Sequence, residues 1–156
     1  MPYLIDGNNV MAQRVGWHRD KSAARRRLLD EVAAFAEQKR VKATVVFDGA
    51  PEEFFKDGSS YKGVKLFYAE RGSNADERIK AMVEASRERR TLIVVTSDRA
   101  LAAYVQRCGA QTLRSGEFRQ RLDELADDKP PAEEQDTVPD AEMKNWMRYF
   151  GVEEDE

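Results

Sequence analysis

Five short apolar runs punctuate the chain: Tyr3–Asp6 (YLID), Ala43–Asp48 (ATVVFD), Val64–Ala69 (VKLFYA), Thr91–Thr96 (TLIVVT) and Ala110–Leu113 (AQTL). Most are continuous and rich in β-branched residues, the pattern of strands buried on both faces. Between them the apolar period changes. In Lys21–Lys39, residues Ala24, Leu28, Leu29, Val32, Phe35 and Ala36 fall near helical spacing, and in Ala75–Arg89 so do Ile79, Met82 and Val83. Helices are also predicted over Asp98–Arg107 and from a Ser115 cap to about Leu125. Pro51–Gly63 and Glu70–Asn74 are polar and turn-rich, so they read as loops. Strand and helix in alternation predict an α/β fold, a parallel sheet of about five strands covered on both faces. Right-handed crossovers then bring every strand's carboxyl end to one edge. No internal repeat is visible.

The pattern fades after about residue 126. Residues 127–140 (DDKPPAEEQDTVPD) form an acidic, Pro-containing linker. Residues 141–156 begin as a short amphipathic helix, with Met143, Trp146, Met147 and Phe150 on one stripe, and end in an acidic tail. Charge divides at the same place. The net charge of -3 combines residues 1–122, with 23 Lys+Arg against 16 Asp+Glu, and residues 123–156, with 3 against 13. A basic body suits a polyanionic partner; a solvated surface with a solubilising tail is the alternative. No run approaches the roughly 20 apolar residues of a membrane span, so no membrane association is expected. The N-terminus shows no signal-peptide pattern, and the lone Cys108 suits a reducing cytosol.

The carboxylates are the most informative polar residues. Asp6 closes the first strand, Asp48 closes the second, Asp98 follows the fourth by way of Ser97, and Asp76 opens the helix after the third. Each has an ordinary explanation as a turn or cap residue. A parallel sheet, however, gathers all four at the edge where open α/β folds bind ligands. Unit charges about 4 Å apart repel by roughly 4 kcal/mol at an effective dielectric near 20. Such a cluster therefore raises its own pKa values or takes a cation. Oxygen donors without His or Cys point to Mg²⁺ or Mn²⁺, and a site of that kind can perform phosphodiester chemistry. Asn8, Asn9 and Ser97 add polar groups without charge that can orient water or phosphate.

In this order, LIDGNN, VVFDG, GSNADERI and VVTSDRALA resemble the NYN domain, and more closely its YacP-like branch, relatives of the PIN-domain nucleases. The resemblance covers about residues 1–122. It implies a three-layer α/β/α Rossmann-like (PIN-like) fold and metal-dependent endoribonuclease activity on RNA, whether mRNA, rRNA or tRNA, possibly in a ribonucleoprotein. By the same resemblance Asp6, Asp76 and Asp98 are the metal-site acids, with Asn8 and Asp48 supporting them.

Candidate RNA contacts are Arg14 and Arg19 around Trp17, Arg25 and Arg26 at a helix start, and Arg71 and Arg78 flanking Asp76. For Trp17 the alternative is packing against the domain, and for Arg25 and Arg26 a solvated helix face. His18, the single histidine, reads as a surface residue and offers no catalytic triad. Neither a P-loop nor a dinucleotide fingerprint is present. Two other functions remain open at this level: an RNA-binding module that does not cut, and a small-molecule phosphohydrolase. Against the latter, Asp6-Gly7-Asn8 lacks the second aspartate that an aspartyl-phosphate mechanism needs as general acid.

Overall fold

The computed structural model describes residues 2–49, 51, 55–69 and 74–127. The linker at 127–140 and the helix and tail at 141–156 lie almost wholly outside these residues, as do Arg71 and most of the 70–74 loop. In chain order the elements are β1 (Tyr3–Asp6), α1 (Gly7–Met11), a 3₁₀ turn (Trp17–Arg19), α2 (Lys21–Lys39), β2 (Ala43–Asp48), β3 (Ser60–Tyr61), β4 (Val64–Ala69), α3 (Ala75–Ala85), β5 (Ile93–Val95), α4 (Arg99–Arg107), β6 (Gln111–Leu113) and α5 (Ser115–Asp127).

The sheet order is β3-β4-β2-β1-β5-β6, parallel except for β3. Ile5 lies between Val45 and Val95, and Asp6 beside Val46. The expected parallel strands are thus all present, their carboxyl ends on one edge. The pleat sends neighbouring residues of β1 to opposite faces. Tyr3 meets Phe35 of α2 edge-on with ring centroids 5.2 Å apart, and Phe35 meets Phe118 of α5 at 5.2 Å. Leu4 packs instead with Ile79 and Val83 of α3 and Leu101 and Val105 of α4. Helices therefore cover both faces, giving three layers.

Three short elements, β3, α1 and the 3₁₀ turn, have no counterpart in the sequence pattern. β3 lies inside the predicted 51–63 loop. It pairs antiparallel with β4 through Lys62 and Gly63, both at positive φ (50° and 86°), as a two-residue type I′ hairpin requires. At two residues it is too short to show a period. α1 follows β1 with no intervening loop and leads to His18, which sits exposed in the 3₁₀ turn rather than in an irregular loop. α3 is also shorter than predicted and ends at Ala85, with Ser86 extended at its C-cap.

Candidate active site

The carboxyl edge is held together by short side chains that reach between neighbouring strand ends. Asn8 Oδ1 accepts the Asp48 backbone N–H at 2.9 Å, tying the start of α1 to the end of β2. Asn9 Oδ1 accepts the Ser97 N–H at 2.7 Å and also the Ser115 hydroxyl. Ser97 Oγ accepts the Ser115 N–H at 3.1 Å. Asp48 Oδ1 accepts the Ala75 N–H at 2.7 Å and so fixes the first turn of α3. Asn74 caps that helix through the Glu77 N–H, and Asp98 caps α4 through the Leu101 N–H at 3.0 Å. The carboxamides expected to orient water thus use their carbonyls on the scaffold.

Within this frame Asp6 is the most buried carboxyl, at 5% exposure. One oxygen accepts the Thr96 hydroxyl at 3.2 Å, and the Asn9 backbone N–H also donates to the carboxyl. Burial outweighs these bonds, and the charges of Asp76 and Asp48 add to it, so the Asp6 carboxyl is pushed up to about 7. Asp76 is pushed up to about 6, first by burial and then by a hydrogen bond and repulsion from Asp98 and repulsion from Asp48. Asp98 moves the other way, held down by the Leu101 N–H and by its bond from Asp76. Of the two, Asp76 is therefore the one that takes up a proton first as pH falls. Lys80, one turn beyond Asp76, draws both carboxyls down.

The four aspartates nominated from sequence therefore perturb one another or share a bond. Among the described residues, however, no three His, Cys, Asp or Glu side chains gather closely enough to hold one ion. Asp6, Asp76 and Asp98 do not form a ready three-carboxylate cage. Charge acts over several ångströms, whereas a magnesium ligand must stand at about 2.0–2.1 Å.

The nominated arginines fare differently. Arg25 is buried at 7% exposure, lies over the rings of Phe47 and Tyr68, and donates to the Asp48 carbonyl at 2.6 Å. It braces the site from inside the fold and is not a surface phosphate contact. Arg14 pairs with Glu31 at 2.7 Å and Asp123 at 3.3 Å, and Arg119 joins the same two acids. Arg78 forks onto Asp57 at 3.0 and 3.2 Å, donates to the Tyr68 carbonyl and stacks on Phe67. These two are held by protein partners, contrary to the expectation of free RNA contacts. Arg19 and Arg26 are exposed, Arg26 over the Phe55 ring. Arg71 lies outside the described residues.

The sequence profile of the YacP-like NYN domain matches residues 3–148. The chain belongs to the YacP-like NYN domain family. The match runs through the acidic segment, beyond the motif-bearing 1–122. A search of curated proteins finds no match. Among solved structures this NYN domain is similar to the W164L mutant of Rae1 (YacP) from Bacillus subtilis, with a TM-score of 0.67 and 19% identity, covering 81% of this chain and 77% of that one. It is likewise similar to Rae1 (YacP) from Bacillus subtilis without that mutation, with a TM-score of 0.63 and 22% identity over 81% and 76%. At that identity the likeness concerns the fold.

Reading the NYN sequence missed three contributors to the site. Thr96 links Asp6 to the Asp98 backbone, accepting the latter's N–H at 3.1 Å. Ser115 ties α5 to Asn9, and Lys80 faces the Asp76–Asp98 pair. Only Lys80 had a local signal, its i,i+4 spacing from Asp76 on a predicted helix. Thr96 and Ser115 look like a strand end and a helix cap.

Proposed function

We propose that this chain is a metal-dependent endoribonuclease of the cytosol that hydrolyses single-stranded or loop RNA. The observation that supports this reading is the set of mutually perturbed aspartates at the carboxyl edge of an NYN fold: Asp6 buried, Asp76 bonded to Asp98, and Asp48 close enough to raise both Asp6 and Asp76. The donors fit a hard divalent cation in kind, being carboxylate oxygens with neither His nor Cys. Asp76 and Asp98 would hold Mg²⁺ or Mn²⁺, with Asp6 behind them. Two carboxylates suffice, because Mg²⁺ commonly keeps several waters. The bound ion would polarise a phosphoryl oxygen and activate water.

The chain's own residues set the conditions for that chemistry. Thr96 and the Asn9 N–H hold the Asp6 carboxyl in one orientation. The Asp48 carboxylate and the Asn74 cap fix the helix that carries Asp76. Lys80 limits the repulsion between Asp76 and Asp98 when both are ionised. A carboxyl with a pKa near 7 is suited to take a proton from an attacking water at neutral pH, and Asp6 would serve in that role.

The absence of a three-carboxylate group among the described residues favours a second reading, an RNA-binding module that does not cut. Incubation of the full chain with a structured RNA, and separately with para-nitrophenyl phosphate, each with Mn²⁺ or with chelator, separates the possibilities. RNA fragments that require the metal are the expected result. Binding without fragments in any metal favours the module. Release of nitrophenol without RNA cleavage would overturn both.

A further inference from the structure

We propose that RNA approaches the candidate site along the groove between α4, β6 and the start of α5, with Arg99 and Arg114 as its phosphate contacts. The inference rests on the RNA reading above and extends it to the path of the strand. A site built from carboxylates repels a phosphodiester, so uncommitted cations must stand beside it. Arg14, Arg25 and Arg78 do not meet that need, since each guanidinium is held by an acid or a backbone carbonyl of the protein. The cavity of about 230 Å³ beside Trp17 is lined by Arg14 and Arg119, both paired with Glu31, and also by Arg19 and Arg27, but none of Asp6, Asp48, Asp76 and Asp98 lines it.

The groove joins free cations to the carboxylate edge. It has a volume of about 460 Å³ and begins at Thr96, Ser97 and Asp98, within the carboxylate edge itself. Arg99 and Arg114 line it and are exposed. Among the described residues neither guanidinium makes an ion pair, a side-chain hydrogen bond or a ring contact. Gln106, which donates to Thr112 at 2.7 Å, gives the groove a neutral polar stretch. A planar guanidinium matches phosphate oxygens with two parallel N–H bonds, and both arginines are free to offer that fork. Among the described residues Glu117 is the only acid lining the groove besides Asp98, and it opposes an incoming phosphate.

The test uses the full chain, a short fluorescein-labelled unstructured RNA, and EDTA so that nothing is cut. Arg99→Ala/Arg114→Ala is expected to lower affinity about tenfold or more at low salt. It should also flatten the dependence of log K on log salt by about 1.4, roughly 0.7 for each lost contact to a single strand. Melting temperature should not change, because these guanidiniums hold nothing in the fold. Arg87→Ala/Arg89→Ala removes the same charge from the opposite, amino edge of the sheet and is expected to cost much less. Glu117→Gln is expected to tighten binding. Equal losses from the two double variants, or an unchanged salt slope, would overturn the groove while leaving the RNA reading intact. Wild-type protein that binds no RNA would overturn that reading itself.

Discussion

Burial and charge oppose one another at Asp6. The carboxyl is enclosed by the end of β1, the turn into α1 and Thr96, and two other acids act on it. Its pKa stands near 7 in the fold against 3.8 when unfolded. Because the folded value is the higher one, metal-free protein keeps its full stability from this group below about pH 4. That stability is lost as pH rises through about 7, by at most about 4 kcal/mol. Asp6→Asn is therefore expected to raise the melting temperature in EDTA at pH 8, with the gain shrinking toward pH 4. A fall at pH 8 would show that the ionised carboxylate itself holds the edge. Asp76 shifts in the same direction, and Asn74, not Asp76, caps α3. Asp76→Asn should thus melt higher than wild type without metal and release no RNA fragments with it. A drop of several degrees would mark Asp76 as structural.

At the scale of elements, α1 is five residues long and depends on its surroundings. Its first residue packs on β2: a Cβ on Gly7 would stand 2.6 Å from the Phe47 ring and 2.9 Å from Val45. Gly7→Ala is expected to cost about 1–3 kcal/mol by overpacking, read as a lower urea midpoint with an unchanged slope. Arg25 works from the other side of the same junction, joining α2 to the last carbonyl of β2. Arg25→Ala should destabilise by roughly 2–3 kcal/mol through the lost charge-assisted bond and ring contacts. Arg25→Lys should recover little of this, since an ammonium cannot both stack flat and reach the carbonyl. Retained stability in Arg25→Ala would show that the brace is idle.

At the scale of the whole molecule, charge is the property most unevenly distributed. The acidic C-terminal segment is expected to compete with a polyanion for the cations of the basic body. Removal of residues 128–156 is expected to tighten RNA binding, more at 50 mM salt than at 200 mM, because screening weakens the competition. Equal affinity for both chains at both salts would remove this role. Among the described residues no helix is long and apolar enough to cross a membrane.

Periodicity and spacing were enough to place the parallel strands, the major helices and the edge where Asp6, Asp48, Asp76 and Asp98 meet. Those features repeat locally, and a parallel sheet has only one edge on which its carboxyl ends can fall. β3 and α1 were too short to carry a period. The partners of Arg14, Arg25 and Arg78 were equally invisible, because a guanidinium looks the same in sequence whether it faces solvent or a buried carbonyl. Which carboxyl is buried, which proton is shared and which arginines stay free depend on contacts between residues up to 109 positions apart, as for Arg14 and Asp123. Spacing along a chain encodes what neighbours do in common; only packing decides what distant residues do to each other.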